Sequence, residues 1–467
     1  MKDFTKGKEA KLILQFSIPL ILGNIFQNLY TIVDSIIVGN YLGKEALGAV
    51  GASFPFIFVL ISLVIGVGSG ASTVISQYFG ARQHENVRKA IDTLFIFFLA
   101  ASLLVTAAGI LLCRQVFVLL RLPEEMMAEA VTYLSVYLSG MFFFFGFSGI
   151  SSILRGLGDS RTPLYFMIMS AVLNVVLDLL FILVFKWGIA GVAFATVVAE
   201  ALAFFLAAWY LNKKHPVINL SFRRYVFDRS IFRSCVRIGL PTGFQQSFVA
   251  FGMMAIMGVI NTFGTNAVAA YAAAIRIDSF AKMPAMTFSS ALSSFVGQNL
   301  GAFRPERAKR GLRTTIWFSM GYSLFVSVLI IAFGKHLIRL FSSDIHVIAI
   351  GQDYLVIVSS FYLLLSVMFA FTGFLRGAGA TFIPMVTTLI SLYLFRIPVA
   401  YFLSGKIGVN GIWWSEPVGW FAGMVILIIY YLSGKWKGKE VVKPSLAPED
   451  EISYTPASAE EVKEQGR

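Results

Sequence analysis

Three short stretches set acids, amides and hydroxyls into otherwise apolar sequence. In "QNLYTIVDSIIVG", Gln27, Tyr30 and Asp34 fall at i, i+3 and i+7, one stripe of a helix. In "SAVLNVVLDLLF", Asn174 precedes Asp178 by four residues, and in "ATVVAE" Thr196 precedes Glu200 by four, so each pair shares a helix face. A carboxylate in hydrocarbon costs at least about 2.5–3.5 kcal/mol on insertion scales, so it is neutralised by a proton, paired, or bound to a cation. Two carboxylates held close in a low dielectric resist ionising together, and the oxygens of Asn and Thr suit a hard cation. Asp34, Asp178, Asn174 and Thr196 therefore read as a proton or Na⁺ site, with Gln27 and Tyr30 on the same stripe. The alternative for Asp34 is a structural hydrogen bond into the core. For Glu200 both readings stand.

Those residues need helices in a membrane to hold them. The chain of 467 residues is 57% hydrophobic and 13% charged, with a mean hydropathy of +0.77, which marks an integral membrane protein. Windows of about 20 mainly apolar residues fall at 12–38, 46–77, 87–112, 128–153, 162–184, 188–212, 231–260, 267–298, 308–333, 349–375, 382–404 and 411–432, twelve in all. Strand-like alternation is absent, so the spans read as helices rather than a barrel. A polar stretch precedes the first window and no small-residue cleavage site ends it, so no cleaved signal peptide is expected.

Both termini are expected in the cytoplasm, because that topology puts 28 of the 38 Lys and Arg on inner segments, seven on outer loops and three inside helices. Inner basic loops facing an anionic leaflet account for the net charge of +13 without nucleic acid. Cys113 falls at the outer end of the third span and Cys235 at the inner end of the seventh, so they cannot form a disulfide. Histidines 84, 215, 336 and 346 lie near loops without metal-ligand spacing, and no nucleotide-binding loop appears, so the drive expected is an ion gradient. "GVGSGAS" at 66–72 reads as helix packing.

The chain also repeats itself. "SQYFGARQHENVRKA" and "GQNLGAFRPERAKRG" align through Gln77/Gln298, Gly80/Gly301 and Glu85/Glu306, and "LRGLGDSRTP" aligns with "LRGAGATFIP" through Pro163/Pro384, all at a shift of 221. "WGIAGVA" and "IGVNGIW" align at 220. The expected organisation is a first lobe at 1–212, a basic linker at 213–233, a second lobe at 234–434 and a cytoplasmic tail at 435–467, disordered from its Pro, Ser and Glu content. Six spans per half make the halves parallel, related by an axis along the membrane normal, as in transporters with the substrate path between two bundles. Asp34, Asn174 and Asp178 map onto Ile256, Phe395 and Val399, so only the first half titrates.

In its ordered motifs "IPLILGNIFQNLYTIVDSIIVG", "GAVGASFPF", "SQYFGA", "LRGLGD", "LPTGFQQ", "FVGQNLGA" and "FLRGAG", the sequence resembles the multidrug and toxic compound extrusion (MATE) transporters over about residues 10–435. The resemblance implies an all-α membrane protein of twelve helices in two parallel, pseudo-symmetric six-helix bundles. It also implies export of organic, often cationic compounds in exchange for H⁺ or Na⁺, with no cofactor and no enzyme activity. Gln27, Tyr30, Asp34, Asn174, Asp178 and Thr196 match the ion site of the DinF-type members. The further acids that NorM-type members carry in their seventh and tenth helices are missing, since the seventh span has Gln245 and Gln246 and the tenth has Asp353 only at its outer end.

The resemblance further implies a multi-pass protein of the cell membrane, surrounded by lipid, working as a monomer on small organic substrates. Alternating access would follow if ion and drug favour opposite conformations. A lipid-linked saccharide flippase is the alternative, although the central helices offer only Arg276, Lys282 and Arg396 to a pyrophosphate. The second half has its own intramembrane charges. Asp278 and Lys282 are four apart and neutralise each other on one helix face. Thr196 maps at 220 onto Glu416, and Val175 maps at 221 onto Arg396, so Arg396 and Glu416 are expected to form an interhelical ion pair that locks this lobe. The alternative places Glu416 on the cavity, facing cationic drugs.

Overall fold

A computed structural model describes residues 2–119, 122–214 and 226–443. Residues 215–225 of the basic linker, Arg121 and the tail beyond Lys443 lie outside the described residues. In order, the helices are α1 (Glu9–Tyr41), α2 (Lys44–Gly80), α3 (His84–Leu119), α4 (Glu124–Ser139), α5 (Met141–Gly156), α6 (Arg161–Leu179) and α7 (Gly188–Lys214). The second half repeats them as α8 (Arg229–Asn261), α9 (Thr265–Gly301), α10 (Pro305–Arg339), α11 (Ile345–Ser359), α12 (Tyr362–Gly377), α13 (Phe382–Leu389), α14 (Ile397–Ile407) and α15 (Asn410–Leu432).

Among the described residues nine helical spans are long and apolar enough to cross a membrane. The fourth and fifth helices together, bent by 49° around Gly140, and α11 with α12, bent by 51°, supply two more. Helix α9 has the length of a span, 37 residues, but the polar and charged residues it brings inside dilute its apolar content. Two π-helical turns interrupt the fifth and eleventh predicted spans, at Leu180–Val184 and Ile390–Arg396. A π turn inserts one residue into a helix, and the two insertions fall at different places in the repeat. Helix starts are fixed locally where the sequence provides a cap: the Asp228 carboxylate accepts the N–H groups of Ser230 and Ile231, and the Asp344 carboxylate those of His346 and Val347.

The bundles exchange their first helices. Phe4, Ile13 and Phe16, ahead of and within the start of α1, are buried with Phe288, Phe295 and Leu312 of the second half. In the same manner Ile231, Cys235 and Ile238 of α8 are buried in the core of the first half. Pro19 inside α1, which lacks the N–H for an intrahelical bond, lies between that anchored start and the segment carrying Asp34. Further along α1, Asn24 Nδ2 donates to Thr287 Oγ1 of α9 at 3.0 Å.

The lobes meet at the face that carries the chain ends. A Cβ on Gly80 would stand 1.9 Å from the Gln298 carbonyl oxygen, and one on Gly301 would stand 1.9 Å from that of Gln77, so only glycine permits this crossing of α2 and α9. Gln77 Nε2 donates to Gly377 O at 2.9 Å, and Gln298 Nε2 to Gly156 O at 3.1 Å, each amide reaching the last turn of a helix in the opposite half. The two side-chain carbonyls accept N–H groups from the two ends of the described chain: Phe4 N–H at 2.9 Å on Gln298 and Val441 N–H at 2.7 Å on Gln77. The segment after α15 is thus pinned at 435–443, with Trp436 buried against Phe374 and Tyr431.

Both cysteines are free and buried, and Cys235 sits where α8 crosses Gly70 of α2. Gly80→Ala should therefore push α2 from α9 and open this face. In a Cys113→Ser background, Cys235 should react with a permeant maleimide several-fold faster in the Gly80→Ala variant, and equal labelling rates would contradict the tight crossing.

Candidate functional site

Helix α1 brings Asp34 against Asp178 of α6, and their carboxyls are immediate neighbours. Asp178 and Asn174 are fully packed in, and Asn174 Nδ2 donates to Thr196 Oγ1 of α7 at 3.2 Å. Tyr30 from α1 and Tyr133 from α4 stand near the pair, and Tyr137 of α4 and Glu200 of α7 adjoin Tyr30. Beside Glu200, with Tyr137, Met141, Phe144 and Thr196 in its wall, lies a cavity of about 10 Å³, roughly the room that one water needs. Gln27, one turn before Tyr30 on α1, is exposed.

Carboxylates accept hydrogen bonds and cannot donate them. Asp34 Oδ1, both Asp178 carboxylate oxygens, Asn174 Oδ1 and Glu200 Oε2 are buried without a donor. An orphaned buried acceptor costs about 1–3 kcal/mol, and several in one place create a strong demand for positive charge. One proton shared between the aspartates, or one cation among their oxygens, meets it. No three His, Cys, Asp or Glu side chains converge on a metal position among the described residues, so Glu200 does not complete a trio with the aspartates. The donors that do fit a cation are two carboxylates, an amide oxygen and a hydroxyl, a set suited to Na⁺.

The second half has four intramembrane charges in one network. Lys282 Nζ lies 2.5 Å from Asp278 Oδ2 one turn away and 2.6 Å from Glu416 Oε1 on α15, and Arg396 NH2 lies 3.1 Å from Glu416 Oε2. The Tyr362 hydroxyl donates to Asp278 Oδ1 at 2.6 Å, and that of Tyr354 to Asp278 Oδ2 at 3.1 Å and Glu416 Oε2 at 3.4 Å. Arg396 and Glu416 are paired as their register suggests, but Glu416 is shared with Lys282. Asp353, midway along α11, accepts from Asn410 Nδ2 at 3.2 Å.

Sequence reasoning had passed over Tyr133, Tyr137, Tyr354 and Tyr362 and had not linked Lys282 to Glu416. One signal is available for a single pair: Tyr133 and Tyr354 stand 221 apart, the repeat itself. The Lys282–Glu416 contact spans 134 residues, and no periodicity reports it.

A duplicated bundle of apolar helices with a buried acid pair in one half is the architecture of a membrane transporter. The chain belongs to the MatE family, whose model matches residues 19–180 and again 241–402, one copy in each half. It is 35% identical over 94% of its length and 98% of the relative's to "Probable multidrug resistance protein YpnP" of Bacillus subtilis (strain 168). "Probable multidrug resistance protein YoeA" of the same organism is 31% identical over 92% and 94%. A solved structure described as the outward-facing conformation of a multidrug resistance MATE family transporter of the MOP superfamily superposes with a TM-score of 0.86 at 26% identity, covering 93% of this chain and 97% of that one.

The charge network yields a graded stability series. Glu416→Leu leaves two cations facing one carboxylate, whereas Arg396→Leu leaves Glu416 paired with Lys282. Breaking a buried pair costs about 3–5 kcal/mol, more than removing both partners. The thermal midpoint should therefore fall most in Glu416→Leu and less in Arg396→Leu, with the double variant above Glu416→Leu. Additive losses would show that the network is not energetically connected.

Proposed function

We propose that the chain is a secondary active multidrug exporter that exchanges an inward-moving H⁺ or Na⁺ for organic, often cationic compounds by alternating access. The reading rests above all on the neighbouring Asp34 and Asp178 carboxyls, of which Asp34 Oδ1 and both Asp178 oxygens lack donors. Placement of the pair supports coupling. Helix α1 carries Asp34, is bonded to α9 through Asn24 and Thr287, and begins inside the second half's core. A proton or cation that relaxes the acid pair changes how α1 seats on α6, and the same helix holds the lobes together. An organic cation drawn to the unneutralised carboxylates is released when the coupling ion replaces it.

The exposed stretch of α1, with Ile32, Val33 and Ile36, and that of α8, with Phe251, Met253 and Met254, offer apolar and adaptable surface to such compounds. The match of the ion-site residues supports a position near the DinF-type branch. Its setting is the cell membrane with both termini cytoplasmic, so the closed face is the inner one, and it works as a monomer among lipids. A saccharide-pyrophosphate flippase is less well supported, since Lys282 and Arg396 are both engaged by carboxylates.

Proteoliposomes loaded with ethidium provide the test, with H⁺ and Na⁺ gradients imposed separately. Efflux should follow one or both gradients. Asp34→Asn and Asp178→Asn should insert and fold yet lose gradient-driven efflux at least ten-fold, because the side chain keeps its size and loses its proton, while Ile256→Ala should retain transport. A well-expressed Asp34→Asn variant with full coupled efflux would overturn the assignment of Asp34.

A further inference from the structure

The second half's network is more than an ion pair inside a membrane. Its two carboxylates are held from behind. Both Asp278 oxygens accept tyrosine hydroxyls, and Glu416 Oε2 is held by Arg396 and Tyr354. Asp278 Oδ2 and Glu416 Oε1 also converge on a single nitrogen, Lys282 Nζ. The indole of Trp420 supplies the third wall, its ring centre 4.7 Å from that nitrogen. Two oriented carboxylates and an aromatic face are the elements of an alkylammonium site.

This site corresponds to the first half's. Tyr354 is the repeat partner of Tyr133, and Glu416 is the partner of Thr196. Two acids and Arg396 without the lysine leave one uncompensated negative charge, the same demand that Asp34 and Asp178 make once one of them is neutral.

We propose that the second half contains a pre-formed alkylammonium seat and that the protein's own Lys282 side chain is its tethered occupant. The seat stands without the lysine, because Tyr354, Tyr362 and Arg396 orient its walls, and an emptied seat accepts a small primary alkylammonium ion. With the seat permanently filled, the second half has no exchangeable cation and coupling is confined to the first. That consequence rests on the exchange through Asp34 and Asp178 proposed above, whereas the seat itself does not.

Alanine at position 282 removes the atoms of n-propylammonium, which is therefore the probe. Purified Lys282→Ala in detergent should unfold at a lower temperature than wild type, and propylammonium chloride should raise its midpoint saturably by several degrees. Tetramethylammonium chloride at equal ionic strength, which has no N–H donor, should not, and neither salt should produce that rise in wild type. The covalent version uses Lys282→Cys with Cys113 and Cys235 changed to Ser: aminoethylation with bromoethylamine, which rebuilds a lysine-like ammonium, should restore the midpoint, and neutral carbamidomethylation should not. Lack of propylammonium rescue, an equal shift in wild type, or failure to recover either position-282 variant as folded protein would overturn the seat. Ethidium efflux plays no part in the readout, so a failure here is distinct from a failure of the transport assignment.

Discussion

Everything in this molecule is arranged around the difficulty of keeping a charge in hydrocarbon. Bilayer lipid offers no hydrogen bonds and little dielectric response, so each intramembrane acid must be satisfied from within the protein. The halves share a fold and differ in their solution. In the second, Asp278 and Glu416 are closed off by Lys282, Arg396 and two tyrosines, a set whose charges cancel. In the first, Asp34 and Asp178 face each other with acceptors left over. One lobe is electrostatically complete, and the other depends on what arrives from water.

That asymmetry sits on a scaffold that is symmetric where the lobes touch. Gln77 and Gln298 make matching bonds into opposite halves, and Gly80 and Gly301 permit matching backbone approaches. These matched contacts fit the alternating access proposed above, in which the two bundles rock about a common axis and the unequal charge sites make that motion depend on an ion. Helix α1 joins the two features, since its start is packed in the second lobe and its far end bears Asp34. With Pro19 removing one intrahelical bond between them, those parts are free to adjust their angle.

Much of this was legible in the sequence, for identifiable reasons. Hydrophobic length sets span number, and a duplication sets parallel halves, so both follow from composition and self-alignment. Asp34, Asn174 and Asp178 stand out because polar residues at helical spacing are rare in apolar runs. Arg396 and Glu416 could be matched through the repeat register. Other features could not. The bend near Ser360 and Phe361 has no proline to announce it, and the contact of α9 with α15 through Lys282 and Glu416 is purely tertiary. The exchange of helix starts between lobes is also invisible to a hydropathy profile, which treats 1–212 as one block. The segment at 435–443 reads as tail by composition, yet Trp436 is buried and Val441 bonds Gln77.

The repeat also suggests how one ancestral site diverged into two. Thr196 and Glu416 occupy matching positions, so a hydroxyl in one half corresponds to a carboxylate in the other. A carboxylate there demands another positive charge, and the second half supplies it twice, through Lys282 and Arg396. The π turn ending at Arg396 has no counterpart at the matching place in the first half. Its extra residue moves the register from 221 to 222, which brings Arg396 opposite Asn174 rather than Val175. A single inserted residue thereby aligns Arg396 with the place that Asn174 takes in the first half. Gain of an acid and gain of a resident cation are then two parts of one change, because either alone would leave an unpaired charge inside the bundle.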